Sequence, residues 1–526
     1  MDHYGFRPEL LREPFVQFLL SKLDESEQQI ARLAHKVEEL EDEIRRIKKL
    51  PKRPRIRPSN LDKDTNKSEP NKRGNTAKRK KKENLEIHET KKIRLTGIAP
   101  GWKLIGYESR VRQDFIVRAN NVEYQLEKWK GPDGEIRVAK LPEHLQSTHF
   151  GATLKSYIIH QYYECGVTQP LIFTSLKDYG VDISSGQISS ILTEDKQSFH
   201  AEKESLLTKG IEISEELRTD DTGARHQFRN GFCNCINTRL FTYFTTTFSK
   251  SRINFLTILR GERSDYQINQ ASLDYVKREK HSCKYHQILK RSYDNGQRVF
   301  EDKEDLQKYY GDEGIKAQYA IRQITEALLI GSIVEHGFDP ATVIHSDGAG
   351  QFNLFVHSLC WKHAERPLVK LKSYNHVQEE QLESKKSAFW MLYQLLKAYK
   401  EDPDAKATFR LSQQFDSLCE PVVNYASLNQ VLEELKKKKD QLLVVLERPK
   451  TSLHNNDSER DIREYVKRRK ISAGTRSENG RKARDTFLSL KKTCRKLEIS
   501  FWNYLLDRMQ NTQSIPQLSQ VMAHKI

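Results

Sequence analysis

Three acidic residues stand where a folded chain could bring carboxylates together. Asp220 lies near the end of a predicted strand, Asp347 closes a second strand before a glycine turn, and Glu459 lies on a predicted helix. Phosphoryl transfer on a DNA strand needs hard oxygen ligands for Mg²⁺, and two such ions about 3.5–4 Å apart bind the attacking and leaving oxygens together. Because the chain has 72 acidic residues, this pattern alone does not select these three.

Asp221 follows Asp220 directly in the chain. Neighbouring residues on a regular strand point to opposite faces, so only one of the two aspartates can point toward a shared metal site. Alternation does not say which one does. The other is expected to be an exposed carboxylate in a turn.

Cys360 and His363 form an isolated C-x-x-H pattern around Trp361. Structural zinc needs four ligands, and no second pair stands at a matching spacing, so zinc is not predicted. His363 is predicted to hydrogen-bond near the site and to belong to the DNA-binding residues. Trp361 is either a core residue or a platform for stacking on DNA.

Basic residues follow Glu459 on the same predicted helix. Arg463 is four residues beyond Glu459 and therefore near the same helical face. A phosphate contact is favoured for Arg460 and Arg463, since guanidinium binds phosphate through two hydrogen bonds, and the alternative is a salt bridge to a metal-site carboxylate. DNA contacts are also predicted for the run Lys467, Arg468, Arg469 and Lys470.

The composition indicates a soluble protein with a polyanionic partner. The 526 residues suggest two to four domains. The formal net charge is +17, which favours nucleic acid first and an anionic membrane second. No apolar stretch approaches a membrane span, no secretory signal is evident, and the seven scattered cysteines favour a reduced, cytoplasmic protein.

The N-terminal 94 residues are predicted to form a coil followed by a linker. Residues 1–50 read as a coiled-coil dimerisation helix, because apolar residues from 16 to 50 follow a 3,4 spacing with β-branched a and leucine d positions. A single amphipathic helix packed on its own domain is the alternative. Residues 51–94 carry 16 Lys/Arg, 6 Asp/Glu and few apolar residues, which is typical of a basic disordered linker.

Two small regions are expected between the linker and the main domain. Residues 95–150 alternate apolar and polar types around a GPDGE turn, which predicts a small β-rich module. Residues 151–210 switch to helical spacing, with Ser184 as a predicted N-cap. Two helices joined by a glycine-containing turn resemble a helix-turn-helix DNA-binding unit, although ordinary helical bundles use the same turn.

Residues 211–505 are predicted to form an α/β domain. Three consecutive strands begin near 216, and a helix, a short strand at 341–347 and further helices follow. A charged helical insertion occupies about 364–450, where we predict a lid or scaffold. Residues 506–526 are assigned as a C-terminal tail.

Four segments, taken in order, resemble the insertion-sequence-66 family of bacterial transposases. They are DDTGARH (220–226), SDGAGQF (346–352), CWKHAERPL (360–368) and NNDSERDIR (455–463). The family pattern is Asp-acidic-Thr-Gly, then Asp-Gly after a strand, then Cys-Trp-x-His, then Asn-Asn-x-x-Glu-Arg. The resemblance spans roughly residues 150–505. One departure is that residues 95–150 contain no cysteine, whereas many relatives carry a zinc-binding module there.

The resemblance implies an RNase H-like mixed sheet whose catalytic and metal-binding residues are Asp220, Asp347 and Glu459. It implies two Mg²⁺ (or Mn²⁺) ions as cofactors, and double-stranded DNA, both element ends and target, as substrate. The expected enzyme is a DNA-associated transposase that cleaves phosphodiester bonds and joins 3′-hydroxyl ends to target DNA. A homodimer through residues 16–50 and small accessory proteins are the expected partners. The alternatives are a catalytically inactive DNA-binding protein and a junction-resolving nuclease.

Overall fold

The computed structural model describes residues 86–94, 96, 102–142, 149–278 and 283–525. The predicted coiled coil at 1–50, and all but the last nine residues of the predicted linker, lie outside the described residues. The chain divides into two units, residues 1–112 and 113–526. In the first unit, residues 86–94 form no helix or strand and are exposed.

The predicted β-rich module contains much less sheet than expected. Its described part holds one hairpin, in which β1 (Lys128–Lys130) pairs antiparallel with β2 (Ile136–Val138) around the predicted turn. Residues 102–127 form no strand, so the prediction is wrong there. Alternation predicts a strand only when a partner strand or a core covers the apolar face, and Phe115 and Ile116 are exposed.

Four helices form the next region, as the sequence predicts. They are α1 (Ala152–Tyr163), α2 (Gln169–Asp178), α3 (Ser185–Thr193) and α4 (Gln197–Ile213). Ser184 is the N-cap of α3, and its hydroxyl accepts from the backbone N–H of Gln187. The Gln187 side chain in turn accepts from the backbone N–H of Ser184. This capping box confirms the predicted N-cap.

A five-stranded mixed sheet follows. Several helices and two short strands are inserted between its third and fourth strands in chain order. The elements in order are β3 (Glu216–His226), β4 (Arg229–Asn237), β5 (Thr242–Thr247), α5 (Arg252–Arg260), β6 (Tyr266–Gln267), α6 (Gln270–Arg278), α7 (Cys283–Asp294), β7 (Val299–Phe300), α8 (Lys303–Asp312), α9 (Gln318–Glu335), β8 (Val343–Ser346) and β9 (Val356–Leu359). The sheet order is β5-β4-β3-β8-β9. The first three strands are antiparallel, and β8 and β9 join them in parallel.

The rest of the chain is helical. Its helices are α10 (Trp361–Lys370), α11 (His376–Tyr399), α12 (Ala405–Leu418), α13 (Ala426–Lys436), α14 (Lys439–Leu442), α15 (Val444–Glu447), α16 (Asn456–Ser472), α17 (Glu478–Lys496), α18 (Phe501–Gln510) and α19 (Leu518–His524). No helix in the described part of the chain is long and apolar enough to cross a membrane.

The buried apolar residues of the second unit form two hydrophobic cores. One contains strands β3 to β8, helices α1 to α9 and helices α16 to α19. The other extends from Leu359 to Leu453, so it covers the predicted insertion and a few residues beyond its predicted limits of 364 and 450. Residues 506–526 include α19, whose Leu518 and Met522 are buried in the first core. The predicted tail is therefore an integral part of that core.

Candidate active site

Asp220 and Asp347 lie beside each other at one edge of the parallel strand pair. The sequence predicts Asp220 near the end of its strand, but Asp220 lies inside β3, which has 11 residues. Pairing with β8 covers only Glu216 to Arg218, with Arg218 opposite His345. Asp220 and Asp347 each follow this pair by two residues, so the register places them at the same level. Asp347 lies just after β8, which ends at Ser346.

Glu459 enters from the first turn of α16, which polar contacts attach to the sheet. The Asn455 side chain donates to the carbonyl of Thr219 at 2.9 Å. Asn237 on β4 donates to the hydroxyl of Ser458 at 2.8 Å. An ion pair between Arg218 and Asp457 adds a third attachment. These contacts fix the start of α16 against the residues that flank Asp220.

The three carboxylates lie within electrostatic reach of one another. The pKa of Asp220 is raised to about 7, mainly by burial; a hydrogen bond from the backbone N–H of Asp221 lowers it, and the negative charges of Asp347, Asp221 and Glu459 raise it. That hydrogen bond is 2.8 Å long. A cation between these carboxylates would favour the ionised form of Asp220.

Glu459 is surrounded by cationic and imidazole groups. One carboxylate oxygen lies 3.7 Å from His363 Nε2 and 3.8 Å from Arg366 Nη2, and the other lies 3.8 Å from Arg463 Nη2. Burial, and then the charge of Arg366, lower the pKa of His363, while Asp347 and Glu459 raise it. His363 therefore lies near the site, as predicted.

The donor set suits Mg²⁺ or Mn²⁺, because it consists of carboxylate oxygens. Across the described ranges, no three His, Cys, Asp or Glu side chains are grouped closely enough to hold a metal ion in their present positions. Two effects oppose closer grouping: like charges repel, and Glu459 already contacts the three groups named above. The predicted metal ligands thus share one edge of the sheet without forming a closed cage.

Asp221 differs from its predicted role. Its side chain is only 7% exposed and pairs with Lys250 at 2.8 Å, and it also accepts from Gln351 at 2.6 Å. It is therefore not an exposed turn carboxylate. The prediction failed because both partners are distant in sequence.

Trp361 is a core residue and not a surface for stacking on DNA. Its side chain is fully buried, and its ring packs on Phe389 with centroids 5.0 Å apart. The indole N–H donates to the carbonyl of Leu442 at 3.0 Å. Trp361 thus anchors the insertion core directly after β9.

Cys360, beside Trp361, accepts a 3.3 Å hydrogen bond at its sulfur from the backbone N–H of Asn455. This buried contact links the end of β9 to the start of α16. Sequence reasoning considered Cys360 only as a metal ligand, and it missed Asn455 as an anchor. The available signal was that both residues belong to the ordered motif blocks.

The predicted DNA-binding residues of α16 divide between surface and interior. Arg460 and Arg463 are exposed, and Arg460 contacts Asp457. Lys467 and Lys470 are exposed and Arg469 is half-buried. The predicted DNA contact of Arg468 is wrong, because its side chain is buried, with 3% exposed. It stacks over the ring of Tyr162 and donates to the carbonyl of that residue. It joins α16 to α1 and does not contact solvent.

Comparisons with known proteins give a family match and a relative. Residues 319–483 match the family described as "Transposase IS66 family", a segment that contains Asp347 and Glu459. The chain is also 40% identical over 323 residues to the uncharacterized protein y4jO of Sinorhizobium fredii, which covers 61% of this chain and 100% of that relative.

These matches define the protein first as a transposase. More particularly, the chain belongs to the IS66 family, as its four motif blocks predict.

Proposed function

We propose that this transposase cleaves DNA and joins 3′-hydroxyl ends to target DNA at Asp220, Asp347 and Glu459. The observation that carries the proposal is the approach of three carboxylates from β3, the turn after β8 and α16 to one sheet edge, where the charges of the other two raise the pKa of Asp220. The sheet order, with three antiparallel strands followed by two parallel ones, supports an RNase H-like core.

Two Mg²⁺ or Mn²⁺ ions held by these carboxylates would stabilise the charge that develops on the attacking and leaving oxygens. The surrounding residues position the DNA. Arg366 and Arg463 have exposed side chains, and each lies 3.8 Å from a different carboxylate oxygen of Glu459. Each is suited to bind a phosphate through two hydrogen bonds. His363, whose Nε2 lies 3.7 Å from Glu459, would orient that carboxylate through its imidazole.

The exposed face of α16 extends this surface away from the site. Arg463, Lys467 and Lys470 follow Glu459 at helical spacing, and all three are exposed. We assign this face to the DNA backbone. The proposal also includes assembly with both element ends, dimerisation through residues 16–50 and any accessory proteins. It further includes DNA contact by α2 and α3.

A strand-joining experiment tests the proposed function. The full chain is mixed with Mg²⁺, a supercoiled target plasmid and labelled DNA that carries the element's own ends. Joined products that disappear with EDTA are expected. Cleavage without joining would indicate a nuclease, and DNA binding without either step would indicate an inactive DNA-binding protein, so each of these results contradicts the proposal.

The basic run offers two exposed positions for substitution and a buried one as their control. Lys467→Gln and Lys470→Gln should each weaken DNA binding and reduce the slope of log K against log salt by about one, since each lysine neutralises one phosphate. Arg468→Gln should leave that slope unchanged and lower the thermal stability, because Arg468 is buried against Tyr162. Salt titrations of fluorescence anisotropy, with thermal melting, separate the two effects. An unchanged slope in both lysine variants would contradict the assignment of this face.

A further inference from the structure

The turn after β8 determines where the Asp347 carboxylate lies. It continues into a short 3₁₀ helix, Gly350–Phe352, whose Phe352 is buried against Phe255 with ring centroids 4.9 Å apart. The carbonyl of Gly350 accepts from Arg252 at 3.1 Å. At its start, the backbone N–H of Gly348 donates to the hydroxyl of Ser346 at 3.1 Å. The turn is thus attached at both ends.

Asp221 connects this turn to the strand that carries Asp220. The Gln351 amide donates to Asp221 Oδ2 at 2.6 Å, and Lys250 approaches Oδ1 at 2.8 Å. The backbone N–H of Asp221 donates to the Asp220 carboxylate. Asp221 therefore contacts Asp220 through its backbone and the turn of Asp347 through its side chain. The side chains of Asp220 and Asp221 point to opposite faces of β3.

We propose that Asp221 is a positioning residue that sets the separation of Asp220 and Asp347 by holding the turn through Gln351. The inference rests on the proposed function of those two carboxylates. Asp221 itself does not face the metal site, because its two oxygens are occupied by Gln351 and Lys250. Lys250 balances the charge of Asp221, so the link adds a hydrogen bond to a charged group without an unpaired buried charge.

The link can be broken and rebuilt by exchanging amide and carboxylate. Gln351→Glu places two carboxylates against each other and removes the hydrogen bond. Adding Asp221→Asn restores a donor and an acceptor in the reverse direction, and the pair keeps one negative charge beside Lys250. Asp182→Asn serves as the matched control, because Asp182 is fully exposed and pairs only with Lys177 among the contacts described.

Two measurements on the full chain read the effect. Hydrogen exchange of the peptide that covers residues 347–352 should be faster by about tenfold in the single variant, as expected for loss of one hydrogen bond to a charged group. Affinity for Mn²⁺, measured by calorimetry without DNA, should fall by about tenfold, as is typical for partners of metal ligands. Both should return to within about threefold of the wild type in the double variant.

The outcomes separate this inference from the proposed function. Wild-type exchange and Mn²⁺ affinity in Gln351→Glu would overturn the positioning role, and so would a double variant that recovers neither. If Asp347→Asn binds Mn²⁺ as tightly as the wild type, the metal site itself is wrong. In that case the exchange data still report whether Asp221 holds the turn.

Discussion

Replacing Glu459 with Gln is expected to abolish DNA cleavage and joining while DNA affinity stays within about twofold of the wild type. Glutamine keeps the shape of the side chain but removes the charge that a hard divalent cation requires. Loss of a residue that acts directly in catalysis lowers the rate by roughly 10⁴-fold or more. DNA affinity should survive, because α16 remains attached through Asn455 and Asp457.

The control for this experiment is Glu433→Gln. Glu433 is an exposed helical glutamate that pairs with Lys437, within the insertion, so its replacement should leave cleavage and joining unchanged. Cleavage products are resolved on denaturing gels, and binding is followed by anisotropy in the presence of Ca²⁺. Cleavage retained by Glu459→Gln would remove Glu459 from the site.

Replacing Trp361 with Ala is expected to destabilise the insertion core by about 3–5 kcal/mol, the usual cost of truncating a fully buried aromatic residue. The change leaves a cavity between α10, α11 and α12, and it removes the donor to the Leu442 carbonyl. Because this core is separate from that of the sheet, an early unfolding transition should appear in denaturant titrations.

Trp361→Phe should cost less, since it keeps the contact with Phe389, and it should leave DNA affinity unchanged. Tyr374→Ala is the surface control, because Tyr374 lies exposed between α10 and α11. A Trp361→Ala variant that keeps full stability and loses DNA affinity would favour stacking on DNA and contradict the buried position.

The sequence predicts the strands and helices around the site well, because their apolar periodicity is strong. The three antiparallel strands, the helix that carries Glu459 and the capped helix after Ser184 all appear where they were expected. The strand β9 was missed, since its four residues give too little alternation to recognise. The extent of β3 agrees with the predicted segment ELRTDDTGARH, and only the place of Asp220 within it differs.

Burial of polar residues was the harder problem, because it depends on partners far away in the chain. Arg468 stands in a run of four basic residues, yet it continues the buried face of Ile462 and Tyr465 at spacings of three. That periodicity was visible in the sequence and would have marked Arg468 as an interior residue. Asp221 gave no such signal, since neither Lys250 nor Gln351 is close to it in sequence.

The most direct test of the two-metal account is anomalous X-ray scattering from crystals of the full chain bound to an element-end DNA and Mn²⁺. We expect two Mn²⁺ peaks about 3.5–4 Å apart, with the carboxylate oxygens of Asp220, Asp347 and Glu459 as ligands. This result would require Glu459 to exchange its contacts with Arg366 and Arg463 for the metal. Peaks that are absent at saturating Mn²⁺, or that lie away from these three residues, would contradict the account.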